Sequence, residues 1–388
     1  MKGTKKVWIL GSGFSKSLGG PLLYELISKK TAEETAVTFP KLTGREIVYK
    51  VYAAGLNSLW SHAEEFLDYV DTALMSDSPR RMIFQRHLSH AILDTFGRVD
   101  PSYTVEVFRE AAILTVAAEC STLTTNCDVR SEAWAPYVDW ACKLSDDDAI
   151  ITFNYDLVLE TVGIDKHVRA IGAPTVAFPT GAKDGRLHEL NGLGICPIYK
   201  LHGSVDWAFK DDAPTKRISG LHEAMQDDGY RPLIATPGAT KTRYVNKMLR
   251  QVWDKGLSAI LDAQVIVFIG YRFPPSDSEA RTRLLHAIKC NKQPYLKVHT
   301  VLGPNVHEPD VVRLTGLLTH TLNAAGRIDA SQSHMWNYAA PVPDMYSIVT
   351  QPLFAQDFLT VIHPGELYDE QLGQRMLKNR VQFPHGTQ

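Results

Sequence analysis

No two of the five cysteines stand in a Cys-x-x-Cys pair. Cys120, Cys127, Cys142, Cys196 and Cys290 are odd in number and scattered. That spacing argues against a structural zinc site and against a disulfide framework. No apolar run approaches the roughly 20 residues needed to span a bilayer. The start of the chain shows no apolar signal region, because Val7 to Leu10 is only a strand's length. Basic blocks are also missing: Lys2, Lys5 and Lys6 make a short basic start, and the net charge is −2. Nothing in that balance favours direct nucleic-acid binding. There is no internal repeat and no low-complexity segment. The expectation is a reducing, cytoplasmic setting with neither membrane nor nucleic acid as partner.

What is present is an ordinary globular composition, 44 % apolar and 22 % charged over 388 residues. That length suits one large α/β domain or two domains. Short continuous apolar runs read as strands buried on both faces. They are Val7–Leu10, Ile150–Phe153, Ile198–Leu201, Val265–Ile269 and Val298–Leu302, with a weaker one at Pro232–Ala235. Most end in glycine or polar residues: Gly11-Ser12-Gly13, Asn154-Tyr155-Asp156, His202-Gly203, Gly270-Tyr271-Arg272, and Gly303-Pro304-Asn305. Strand, polar tip and helix in repetition predict a Rossmann-like, doubly wound parallel α/β sheet. Ligands of such sheets sit outside the carboxyl ends of the strands. Gly11-Ser12-Gly13 could therefore rest a phosphate on a helix start. It could equally be a tight turn with no ligand, since Lys16 stands where a third glycine is usual. His202 reads as a catalyst or as a structural imidazole, and Asp156 as a ligand group or a helix cap.

From about residue 44 to 120 the apolar spacing is helical, predicting an insertion that caps the sheet. His62, Glu64 and Glu65 could form a metal or acid–base cluster, but a solvated helix face is the favoured reading. Asp146-Asp147-Asp148 reads as a solvated turn. Beyond Glu308 the periodicity is weak, predicting a C-terminal extension over 306–388 that packs on the domain or mediates assembly.

The tips, in this order, resemble the sirtuin fold, and more closely the sirtuin-like NAD hydrolases of bacterial antiphage defence. Gly11-Ser12-Gly13-Phe14-Ser15 resembles the sirtuin Gly-Ala-Gly-Ile-Ser loop. Phe153-Asn154-Tyr155-Asp156 is similar to Gln-Asn-Ile-Asp, and Leu201-His202-Gly203-Ser204 to the sirtuin His-Gly. Phe268-Ile269-Gly270-Tyr271-Arg272-Phe273, with Asp277 after it, resembles the Gly-Tyr-Ser-Phe…Asp of the defence branch. The likeness covers residues 5 to 305, so a sirtuin-like NAD-binding hydrolase domain is expected over 1–305. Protein-deacylating sirtuins carry a four-cysteine zinc module, which this cysteine spacing does not provide, so no zinc is expected. Arg272 also departs from the small hydroxyl residue of the motif.

The resemblance implies NAD as substrate, cleaved at the nicotinamide–ribose bond to nicotinamide and ADP-ribose. It assigns Asn154 to the ribose and water, His202 to the ribose hydroxyls as a base, and Asp156 to the nicotinamide carboxamide. It places Gly11, Ser12, Gly13, Phe14, Ser15, Gly270, Tyr271, Arg272 and Asp277 around the cofactor, chiefly the pyrophosphate, and Asn305 near the adenosine ribose. It further implies a toxic effector that depletes NAD, a homo-oligomer, and a separate hexameric HerA-type ATPase as partner. Two alternatives are an NAD-dependent protein deacylase and a non-catalytic NAD- or ADP-ribose-binding scaffold.

Overall fold

The apolar runs become the strands of one large sheet in the computed structural model, which describes residues 4–39, 44–73, 79–98, 103–125, 127–164, 175–179, 187–189, 196–210, 215–218, 221, 230–235, 249–274, 277–331 and 343–382. The strands are β1 (Lys6–Leu10), β2 (Ala149–Thr152), β3 (Thr175–Pro179), β4 (Leu187–Glu189), β5 (Pro197–Lys200), β9 (Val265–Ile269), β10 (Tyr295–Val301), β11 (Ile328–Asp329) and β12 (Met345–Gln351). Their order across the sheet is β11-β12-β10-β9-β1-β2-β5-β3-β4. Every neighbouring pair is parallel except β3 with β4. β1, β2 and β9 are buried along their whole length, as central strands covered on both faces must be. The chain winds outward from β1 through β2, β5 and β3, then returns to the other side of β1 with β9 and β10. The doubly wound fold is therefore present, with its switch point between β1 and β9.

Register decides where the site sits. Leu10 pairs with Thr152 and with Ile269, Thr152 with Lys200, and Ile269 with Val301. Five strands thus end in one row, and the residues just past them crowd one edge.

The C-terminal region is more than an appendage. β12 runs parallel to β10 over seven residue pairs, from Tyr295↔Met345 to Val301↔Gln351, so the sheet continues beyond residue 305. The weak periodicity after Glu308 conceals a helix, Pro309–Ala324, that buries Val311, Leu314, Leu318 and Leu322. That spacing is helical, and an exposed Val312 on the other face helps to blur it.

A second core gathers Leu26 to Cys120, mainly from helices Arg45–Gly55, Ala63–Ala73, Pro79–Phe96 and Val105–Thr122. This core also takes in Leu26, Ile27 and Phe39, on either side of the helix Lys29–Thr38. It also packs on a separate three-stranded sheet of β6 (Gly203–Phe209), β7 (Lys216–Arg217) and β8 (Arg231–Ile234). The run at Pro232–Ala235 thus belongs to this small sheet, antiparallel to β6, and not to the main one.

Two acidic groups expected in solvent are inside. Asp148 is 1 % exposed and pairs with Lys6 at 2.9 Å, tying β2 to β1 at their starts. Glu64 is 6 % exposed, whereas Glu65 stays outside and accepts from the Ser61 N–H at 2.7 Å.

Glu119 is a third buried acid, held by the Tyr49 hydroxyl and by the Ile27 N–H at 2.9 Å. Ile27 has φ 56°, a left-handed conformation costly for a β-branched residue. Burial pushes the Glu119 carboxyl up to about 7 from an ordinary 4.5. The folded state therefore holds this proton more tightly than the unfolded chain. The resulting stability is fully present below pH 4.5 and is lost as pH rises through about 7. The loss should amount to about 3 kcal/mol. Glu119→Gln, which cannot ionise, should flatten that fall. Urea midpoints at pH 5 and pH 8 for both proteins check this; parallel pH curves would refute it.

Candidate active site

The turn after β1 is pressed against the turn after β9. A Cβ on Gly11 would lie 2.6 Å from the Gly270 carbonyl oxygen, and one on Gly13 2.7 Å from Gly270 Cα. Gly11 N–H donates to Ile269 O at 2.9 Å, Gly13 N–H to Gly270 O at 3.3 Å, and Phe14 N–H to Gly11 O at 2.8 Å. These glycines are thus required by close backbone packing across the switch point. Three of the turn's N–H groups are used internally, so it is not an open phosphate cradle. The helix that follows is only Ser12–Ser15. Phe14 is buried against Tyr137 at 5.1 Å and Trp140 at 5.5 Å. Its ring is core, and only its backbone can face a ligand.

Asn154 bridges this turn to β2. Its side-chain amide donates to Gly11 O at 3.1 Å and to Ser15 Oγ at 3.2 Å. With both N–H bonds used, the amide plane is fixed and its carbonyl oxygen is the atom presented. Ser15 Oγ donates a hydrogen bond to Asp156 Oδ2 at 2.8 Å, while Asp156 Oδ1 accepts from Val158 N–H at 3.1 Å. Asp156 therefore does act at the start of the helix Val158–Ile164, and it braces Ser15 as well.

His202 follows the last residues of β5, at the junction with β6, and is 4 % exposed. Gly203 after it has φ 81°, and a Cβ there would fall 1.9 Å from Leu233 O. Only glycine lets the chain leave the main sheet for the small one at this point. The imidazole lies edge-on to Phe153 at 4.8 Å, and its Nε2 is 3.4 Å from Asp277 Oδ1. Asp277 Oδ2 accepts from the Tyr271 hydroxyl at 3.1 Å. The Tyr271 ring stacks on Phe153 at 4.0 Å and 6°. Burial first, then the Asp277 carboxylate, pushes the Tyr155 and Tyr271 hydroxyls well above their usual range, and Glu64 adds to both. Both stay neutral donors at physiological pH. Glu64, read from sequence as solvated, is thus an acid that the helical insertion brings within Coulombic reach of this wall. Only its neighbours at 62 and 65 behave as a solvated face.

Two expected site residues stand apart. Arg272 is ion-paired to Glu308 and donates to Leu302 O, which directs its guanidinium toward the loop after β10. Asn305 is exposed, and its side-chain Oδ1 accepts from His307 N–H at 3.2 Å in a local turn. A groove of about 800 Å³ along the helix Pro309–Ala324, lined by Val311, Val312, Thr315 and His320, shares no residue with the site.

Residues 148–310 match the family model of the SIR2-like domain. The match is under half of the chain, yet it holds Asn154, Asp156, His202, Gly270 and Asp277. No curated protein matches the chain. Among solved structures, Sir2Tm bound to a propionylated peptide aligns at 11 % identity over 83 % of this chain and 93 % of that one, with a TM-score of 0.30. A Sir2 homologue mutant in complex with ADP-ribose aligns at 14 % identity over the same shares, also at 0.30. Sir2 with a p53 peptide and NAD+ aligns at 10 % identity over 83 % and 93 %, at 0.29. At such scores the fold is read from the strand order itself. No helix among the described residues is long and apolar enough to cross a membrane.

Proposed function

We propose that the SIR2-like stretch and the glycine turn before it form an NAD glycohydrolase site. The carrying observation is Asn154: its amide is locked by Gly11 and Ser15, so a carbonyl oxygen is held at the row where five strands end. In NAD the nicotinamide leaves as a neutral ring from a cationic one, so no strong acid is needed. The anomeric carbon gains positive charge as the bond breaks, as in glycoside cleavage generally. Water then adds there and loses a proton, giving nicotinamide and ADP-ribose. Asn154 Oδ1 accepts from the water or a ribose hydroxyl and fixes its position. His202 serves the ribose hydroxyls as base, with Asp277 beside it to steady an imidazolium. Asp156 receives the carboxamide N–H on its remaining lone pairs. Tyr271 and Phe153 form an aromatic wall. With Arg272 paired to Glu308 and the Ser15 hydroxyl already bonded to Asp156 and Asn154, the pyrophosphate is assigned to the Ser12 hydroxyl.

NAD depletion in antiphage defence, a homo-oligomer and a HerA-type ATPase partner are proposed with it, on the motif resemblance alone. The test is incubation of the purified chain with NAD, alone and with such an ATPase, and chromatography of the products. Equal nicotinamide and ADP-ribose is the expected result. Nicotinamide released only with an acetylated peptide present would replace hydrolysis by deacylation. Intact NAD under every condition, with NAD still bound, would leave a scaffold.

A further inference from the structure

Lys200, the last residue of β5, is wholly buried. Its ammonium donates to the backbone carbonyl of Asp156 and to Glu160 Oε1, the latter at 2.8 Å. Lys200 is the register partner of Thr152, the last residue of β2. Past that row the two chains still touch through Leu201 N–H to Thr152 O at 2.9 Å and Val205 N–H to Tyr155 O at 3.1 Å. Just past the second contact, the Lys200 ammonium reaches the Asp156 carbonyl and so adds a charged tie between the backbone that carries Asn154 and Asp156 and the strand end that carries His202.

A buried ammonium is an expensive way to satisfy one carbonyl. Burial raises the Glu160 carboxyl despite its partner, and among the described residues Glu160 Oε2 has no hydrogen bond. The ion pair is therefore poorly explained by stability. Its geometry has another consequence: it fixes the separation between two tips whose side chains act on one ligand. We propose that Lys200 is a positioning residue, tying the Asn154–Asp156 turn to the strand end that carries His202. For catalysis this rests on the NAD reading above; the structural tie does not.

The test compares wild type with Lys200→Met/Glu160→Leu, which removes both charges so that neither is left buried alone. Three quantities are read: the urea midpoint, hydrogen exchange over residues 152–158, and NAD turnover. The double variant is expected to fold with a midpoint near wild type and to exchange faster at the turn, Val158 included. Its kcat should fall about 100-fold with KM changed less than about threefold. Unchanged exchange and unchanged kcat would overturn the proposal. If the double variant fails to fold, Lys200→Arg keeps the charge and alters the reach; faster exchange at the turn supports the tie, and wild-type exchange refutes it. Should wild type not turn over NAD at all, the hydrolase reading fails, while the exchange data still decide whether Lys200 holds the turn.

Discussion

Asn154→Ala should reduce nicotinamide release about a thousandfold and leave the protein folded. The size follows from what a fixed polar group is worth beside developing charge, where removing one such group costs about 10²–10³ in kcat. Asn154 sits at the upper end because it also orders its neighbours. Its amide is the donor to Gly11 O and Ser15 Oγ, so alanine both deletes the presented carbonyl and frees the serine that braces Asp156. The structural cost is smaller. Asn154 is half-buried, and water can replace its amide at both acceptors, for a loss of about 1 kcal/mol. His202→Ala should be comparably inactive but less stable, since it opens a space against Phe153 and leaves Asp277 without the imidazole. Initial rates of nicotinamide release and urea midpoints, measured on the same preparations, check both. An Asn154→Ala protein that retains half of wild-type turnover would remove Asn154 from the chemistry.

The sheet was legible because central parallel strands are covered on both faces and so read as unbroken apolar runs. Val7–Leu10, Ile150–Phe153 and Val265–Ile269 are of this kind, and the residues after them proved to share one row. Peripheral structure was less legible. β12 has a mixed pattern, since it lies toward the sheet edge and is half-exposed after Tyr346. Nothing local marks Met345–Gln351 as the partner of Tyr295–Val301. Buried acids were misread for a related reason. Asp148 is covered because Lys6, far off in sequence, comes to meet it. Glu64 is covered by the packing of the insertion, and nothing in His62-Ala63-Glu64-Glu65 distinguishes the inward carboxylate from the outward one except helical phase. Asp156 was the opposite case: both of its sequence readings, cap and site group, are compatible with the bonds it makes.

Gly270→Ala should unfold the site and cost most of the molecule's margin of stability. Two penalties combine there. Gly270 has φ 65°, where an L side chain is strained by about 1 kcal/mol. In addition, a Cβ would stand 2.4 Å from Gly13 Cα and 2.6 Å from Gly13 C and Phe14 N. All three obstacles are backbone, so no side chain can rotate away. The turn after β1 must lift off β9, stretching the Gly11-to-Ile269 and Gly13-to-Gly270 hydrogen bonds and carrying Gly11 O and Ser15 away from Asn154. Strain and clash together should exceed about 4 kcal/mol, a size reserved for a few named causes. Gly326 provides the internal comparison. It has a similar φ of 75° but nothing within 4 Å of the added carbon, so Gly326→Ala should cost only the conformational part, about 1 kcal/mol. Urea titration of the two variants separates the contributions. The excess loss in Gly270→Ala, accompanied by loss of NAD binding, measures how tightly the two turns must meet for the site to exist. Equal losses in the two variants would mean that the glycine is needed for its conformation alone, and that the contact across β1 and β9 is free to open.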